Sequence, residues 1–267
     1  MNTLKDKIYY SKKVRDMAAP IYKKFYTTVF SNKKSKYIYL KLATFLSTHG
    51  FSPLLAPSAT STKERWQRQG TDDLLTTPKT YIKEDNSIIE LFKEVLPYLN
   101  KNSPILEIGC NVGRSLNYLY KLGYKNLTGI EIGPSAVELM KATFPDMYSN
   151  SNILIGDAPG LIKGLNTDEF DLVFCHSVLV NIHPKYNYIF EEMARISKKF
   201  ILILENEGSY TAYPRDFKKM FEKQRYKMVV SKVFSGACSS LTVPFEEKHI
   251  YENNTIRLFA KDKSSFK

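Results

Sequence analysis

The chain has 267 residues, 43% hydrophobic and 25% charged, with 12 Gly and 12 Pro; this balance excludes a disordered or collagen-like chain and leaves room for one α/β domain with an extension. Its three cysteines, Cys110, Cys175 and Cys238, form no C-x-x-C, which argues against a disulfide framework or a cysteine-rich zinc site and favours a reducing, cytoplasmic compartment. The formal net charge is +12, but residues 1–60 hold eleven Lys/Arg against two acids, so +9 of it lies in the first quarter of the chain.

Apolar residues recur at three- and four-residue spacing between lysines over residues 5–48, which predicts helices interrupted near Pro20 and around Ser31–Asn32. Aromatics such as Tyr22, Phe25, Tyr37 and Phe45 interleave with these lysines. Such a pattern fits phosphate contacts and stacking on RNA, contact with an anionic membrane surface, an acidic partner, or a helical lid with its aromatics packed inward. The opening MNTLKDKIYYSKK has no apolar core and no small-residue cleavage site, so no secretory signal is expected. No run is long and apolar enough for a membrane span. His49–Thr62 collects Gly, Pro, Ser and Thr without periodicity, predicting a loop and a boundary near residue 60 between a basic helical extension, 1–60, and a main domain, 61–267.

An irregular stretch holding Trp66 and Tyr81 follows, then a helix start at Asp85-Asn86-Ser87 with the amphipathic body IIELFKEVLPYL. From residue 104 short apolar runs alternate with helical patterns: PILEI, SLNYLYKL, LTGIEI, SAVELMKATF, NILIGD, FDLVFC, KYNYIFEEMARIS, KFILILE and FKKMFEKQ. Strands covered on both faces read as continuous apolar runs, so this rhythm predicts an α/β fold, a doubly wound and mostly parallel seven-stranded sheet. YKMVVSKVF and NTIRLFAK have no long helix between them and should pair antiparallel at one edge, with residues 235–252 as a loop over the carboxyl ends.

Between the first strand and its helix lies Leu106-Glu107-Ile108-Gly109-Cys110-Asn111-Val112-Gly113-Arg114-Ser115. Glycines here let the backbone turn and approach a ligand, and the helix N-terminus beyond offers amide donors. A dinucleotide site would read G-x-G-x-x-G, whereas here Asn111 replaces the middle glycine and Leu116 the third. The acid Glu107 beside the loop disfavours a pyrophosphate and suits a cationic ligand, a requirement that S-adenosylmethionine meets with its ammonium and sulfonium.

With Glu107, Gly109, Asn111 and Gly113 in the places of the E-x-G-x-G-x-G motif, residues 85–262 resemble the class I S-adenosylmethionine-dependent methyltransferases. The resemblance implies that Glu131, at the end of the second strand with Ile132, accepts the ribose hydroxyls. It also implies that Asp157 and Ala158, after the third strand, meet the adenine, and that Cys175 and the loop after the fourth strand border cofactor and acceptor. His176 is the first candidate for a general base and His183 the second, each alternatively a loop histidine bonded to backbone. Trp66, Tyr81, Glu205, Asn206 and Tyr210 are candidates for the acceptor side, with core anchoring or solvated turns as the alternatives.

Cys175-His176-Ser177-Val178 stands where base N-methyltransferases carry Asn/Asp-Pro-Pro-aromatic, which argues against that chemistry, and an incomplete carboxylate cluster predicts no metal. The expected activity is methyl transfer to O or N of a small molecule, with a sugar or nucleotide-sugar among the candidates. RNA or protein methylation through a docking arm, a binding protein without turnover, and membrane contact through residues 1–60 are the alternatives.

Overall fold

The computed structural model describes residues 33–53, 56–68, 77–83, 86–206, 213–234 and 254–261. The expected helices before residue 33, Tyr210 and the loop 235–252 lie outside these residues. The strands form where apolar runs are expected: β1 (Ile105–Ile108), β2 (Leu127–Glu131), β3 (Asn152–Ile155), β4 (Phe170–His176), β5 (Ser197–Asn206), β6 (Lys227–Phe234) and β7 (Asn254–Ala260). They make one sheet in the order β3-β2-β1-β4-β5-β7-β6. Strands β1 to β5 pair in parallel, while β7 runs antiparallel to both β5 and β6. The reversed strand therefore sits one position in from the edge, and β6 is the edge.

Before the sheet come α1 (Lys33–Thr48), α2 (Ala59–Arg68) and α3 (Asn86–Phe92). The sheet is flanked by α4 (Arg114–Lys121), α5 (Pro134–Thr143), α6 (Pro145–Ser149), α7 (Ala158–Leu161), α8 (Tyr188–Ile196) and α9 (Phe217–Glu222). The loop expected over residues 49–62 is shorter than anticipated. Ser58 Oγ accepts the amide of Ser61 at 3.2 Å and starts α2, so a serine and threonine run that resembles a loop is a capped first turn, and Trp66 is helical. The expected helix after Asn86 is cut short: α3 ends at Phe92, and Leu96–Tyr98 forms a separate 3₁₀ turn around Pro97.

Alternate strand residues feed two cores. Val173, Cys175, Ile201 and Ile203 face Phe190, Met193 and Phe221 on one side. Leu172, Phe174, Leu202 and Leu204 face Phe92, Leu116 and Leu119 on the other. The strand order reverses between β1 and β4, and the crevice outside their carboxyl ends is where an open α/β sheet binds its ligand.

Candidate active site

The β1 loop is built from left-handed residues. Gly109, Asn111 and Gly113 have φ of 71°, 49° and 74°. Asn111 thus adopts the conformation of the glycine it replaces, as asparagine tolerates better than most residues. Gly109 and Cys110 both donate to the carbonyl of Ile130, at 2.8 and 3.0 Å, which ties the loop to β2.

Besides the left-handed turn, Gly109 answers a second need. A Cβ there would lie 2.5 Å from Val178 Cγ2, so the glycine makes room for the β4 loop. The third glycine of a dinucleotide motif would allow close helix–strand packing; here the space is ceded by Gly129 of β2, whose Cβ would come within 2.9 Å of Leu116 and 2.7 Å of Cys110 Sγ.

Two carboxylates converge on this loop. Glu131 Oε2 accepts from the amide of Asn111 at 2.8 Å and Oε1 from that of Gly133 at 2.6 Å. It therefore splints the loops after β1 and β2 and, as a carboxylate, keeps acceptor capacity beyond those two bonds. Glu107 is only 3% exposed, and burial holds its pKa well above the usual carboxylate range, with the negative Glu131 adding to the effect and a Ser115 hydrogen bond and Arg114 opposing it. Among the described residues its Oε2 and the Oδ1 of Asn111 have no hydrogen-bond partner although both are buried. Buried polar atoms are almost always paired, so these two mark a place for donors that the described residues do not supply.

Arg114, in the first turn of α4, donates to the carbonyl of Lys83 at 3.2 Å and its guanidinium lies 5.7 Å from the ring centroid of Tyr81. Tyr81, expected at the acceptor, is thereby held at the glycine-loop end. Asp157, expected at the adenine, is ion-paired with Lys63 of α2 at 2.8 Å, and Ala158 opens α7 against the core. Trp66 shares α2 with Lys63 and is half-buried. Thr62, also on α2, meets Tyr213 Oη at 2.8 Å, and that hydroxyl donates to the carbonyl of Pro57 at 2.6 Å. Ile132 is half-buried just past β2.

On the other side of the crevice, His176 ends β4 and is half-buried. Ser177 follows with φ of 58°, a conformation that serine rarely adopts, and donates its amide to the carbonyl of Leu204 at 2.7 Å. Cys175 is fully buried, with its thiol turned onto Glu205 at 3.4 Å. Glu205, expected near the acceptor, is 0% exposed and accepts the amides of Val178, Leu179 and Val180 at 2.9, 2.8 and 3.3 Å. Burial pushes its pKa up to about 7 against the pull of those amides.

Arg215 grips the same loop through its carbonyls, donating to Leu179 at 2.7 Å, to Ile182, and to the Asn187 side chain at 2.9 Å. Its burial lowers its pKa to about 9. His183 accepts the Lys185 amide on Nδ1 at 3.1 Å and packs edge-on against Tyr213 at 5.2 Å. Asn206 ends β5 opposite Asn254 of β7.

The structure thus gathers Glu107, the glycine loop and Glu131 on one side of the crevice and His176 with Ser177 on the other, while Cys175 and Glu205 lie beneath the β4 loop. Sequence reasoning missed the Glu205–Arg215 clamp and the Lys63–Asp157 pair, which join residues far apart in the chain without a local signature. Among the described residues no group of three or more His, Cys, Asp or Glu could hold a metal ion, and no helix is long and apolar enough to cross a membrane.

Residues 105–199 match the family described as a methyltransferase domain. No curated protein matches the sequence. Geranyl diphosphate methyltransferase, solved with GPP and sinefungin, shares 8% identity over 76% of this chain and 100% of its own, with a TM-score of 0.59. SpnF, a [4+2]-cyclase, shares 11% over 77% of this chain and 97% of its own, at 0.58. Magnesium protoporphyrin IX methyltransferase of Synechocystis PCC 6803 with bound SAM shares 11% over 84% of this chain and 97% of its own, at 0.53. Residues 105–199 thus match a methyltransferase domain, and the seven-stranded sheet has the fold of these solved structures.

Proposed function

We propose that the protein is an S-adenosylmethionine-dependent methyltransferase that acts on an oxygen or nitrogen of a small molecule. The observation that carries this reading is Glu107, a buried carboxylate with an oxygen unpartnered among the described residues, beside a left-handed loop. An ammonium would supply the missing donor and the counter-charge together, which fits the amino group of this cofactor and not the phosphates of a dinucleotide. Glu131, splinted between two loop amides, would accept the ribose hydroxyls, and Asp157 with Ala158 would border the adenine.

Bound S-adenosylmethionine supplies an electrophilic methyl group on its sulfonium. The protein's part is then to align the acceptor and exclude water. His176, at the carboxyl end of β4, would take the acceptor's proton; His183, whose Nδ1 already accepts a backbone amide, is the weaker candidate. The clamp of Glu205 and Arg215 would keep the loop between them rigid. Asn111 in its left-handed conformation speaks against a broken cofactor loop, the reason to consider a binding protein without turnover.

Calorimetric titration of the purified protein with S-adenosylmethionine and S-adenosylhomocysteine, with NAD as control, tests the reading. Micromolar binding of the first two and none of NAD is expected. Binding of NAD alone, or of none of the three, would overturn it.

A further inference from the structure

Helix α1 has two unlike faces. On the inner one Ala43 and Ser47 are buried, and the carbonyls of Ser47 and Thr48 accept from Asn187 Nδ2 at 2.8 and 3.3 Å. The Thr48 hydroxyl also accepts the amide of Asp216 at 3.1 Å, so the end of the helix is fastened to the body. On the outer face Tyr37, Ile38, Leu42 and Phe45 are 61, 57, 56 and 59% exposed, and Phe51 just beyond is 64% exposed. Ile38, Leu42 and Phe45 lie four and three residues apart, on one stripe of the helix. Five of the nine large hydrophobic residues exposed among the described residues are therefore concentrated here, where scattered single ones would need no explanation.

The charged residues of α1 itself are all lysines. Lys34 and Lys41 are exposed on α1, with Lys41 Nζ 5.4 Å from the Tyr37 ring. No acidic residue occurs between Asp16 and Glu64, an interval that holds seven lysines.

We propose that α1 docks the protein on an anionic lipid surface, with Ile38, Leu42, Phe45 and Phe51 in the boundary between headgroups and acyl chains and the lysines on the headgroups. Apolar stripe and uniform positive charge are the two terms that bind an interfacial helix, and lysine stems can lie along the apolar face while their ammonium groups reach the phosphates. Nucleic acid fits less well, because Ile38 and Leu42 offer neither stacking planes nor charge. A second copy of the chain would bring lysines of the same sign against one another. The proposal is independent of the methyl-transfer reading. Its link to the site is Asn187, which holds α1 with its amide nitrogen and receives Arg215 Nε on its oxygen at 2.9 Å, at the end of the β4 loop.

The test is co-sedimentation of the full chain with vesicles of phosphatidylcholine alone and of phosphatidylcholine mixed with phosphatidylserine. The protein should pellet with the mixed vesicles only, less so at high salt. Combining Ile38→Ser, Leu42→Ser and Phe45→Ser should weaken that binding roughly tenfold or more with the melting temperature unchanged, because these side chains are already in water. Lys41→Glu should weaken it too, as a check that does not touch the apolar stripe. Full-length protein that stays in the supernatant with mixed vesicles, or a triple variant that pellets like the parent, would overturn the proposal. So would light scattering that shows a dimer which the triple variant dissolves, or an RNA oligomer bound through the stripe in place of lipid.

Discussion

Glu107 on β1 and Glu205 on β5 are the same residue type, both buried at the carboxyl end of the sheet, and put to opposite uses. Glu205 is satisfied from within: three consecutive amides and a thiol converge on it, and its neighbour Arg215 takes the carbonyls of the same loop. Glu107 keeps one oxygen without a partner among the described residues, and so does Asn111 at its Oδ1. A fold holds a loop still by satisfying every buried polar group in it, and leaves such groups open where something else must come.

The sharpest way to break the comparison is on the Glu205 side. Glu205→Leu strands three buried amides and leaves the Arg215 guanidinium without its counter-charge, and should cost about 3–5 kcal/mol in chemical denaturation. pH gives a second reading of the same group. Since Glu205 titrates near 7 when folded and near 4.5 when exposed, the folded chain keeps its proton where the unfolded chain has lost it. Its contribution to stability therefore falls as pH rises from 4.5 to 7, by roughly 3 kcal/mol in all, and is level above that. Glu205→Gln should remove this slope.

Gly109→Ala forces a side chain into a left-handed position and against Val178, and should destabilise by about 1–3 kcal/mol. Glu131→Ala should weaken S-adenosylhomocysteine by roughly 1–3 kcal/mol in calorimetry through lost charge-assisted ribose bonds. Unchanged affinity would remove it from the ribose. Smallest of all, Lys63→Met breaks a half-exposed ion pair with Asp157 and should change stability by less than about 1 kcal/mol.

The parallel strands were legible because a strand covered on both faces is an unbroken apolar run, as in Leu172–Cys175 and Phe200–Leu204. The glycine loop was legible because left-handed turns admit few residues, and Asn111 is one of them. Helix α2 was not, since its serines and threonines read equally as loop or as cap until Ser58 is seen bonded to the amide of Ser61. The clamp was not legible either. Glu205 and Arg215 act on a loop 25 to 36 residues away in the chain, and only the folded sheet brings them to it.

The most direct test of the central claim compares S-adenosylhomocysteine with 5′-methylthioadenosine, which lacks the amino-acid end, on the parent and on Glu107→Gln. If Glu107 is held open for the ammonium, the parent prefers S-adenosylhomocysteine, and the variant loses most of that preference while binding 5′-methylthioadenosine as before. A variant that keeps the full preference, or weakens both ligands alike, would contradict the account.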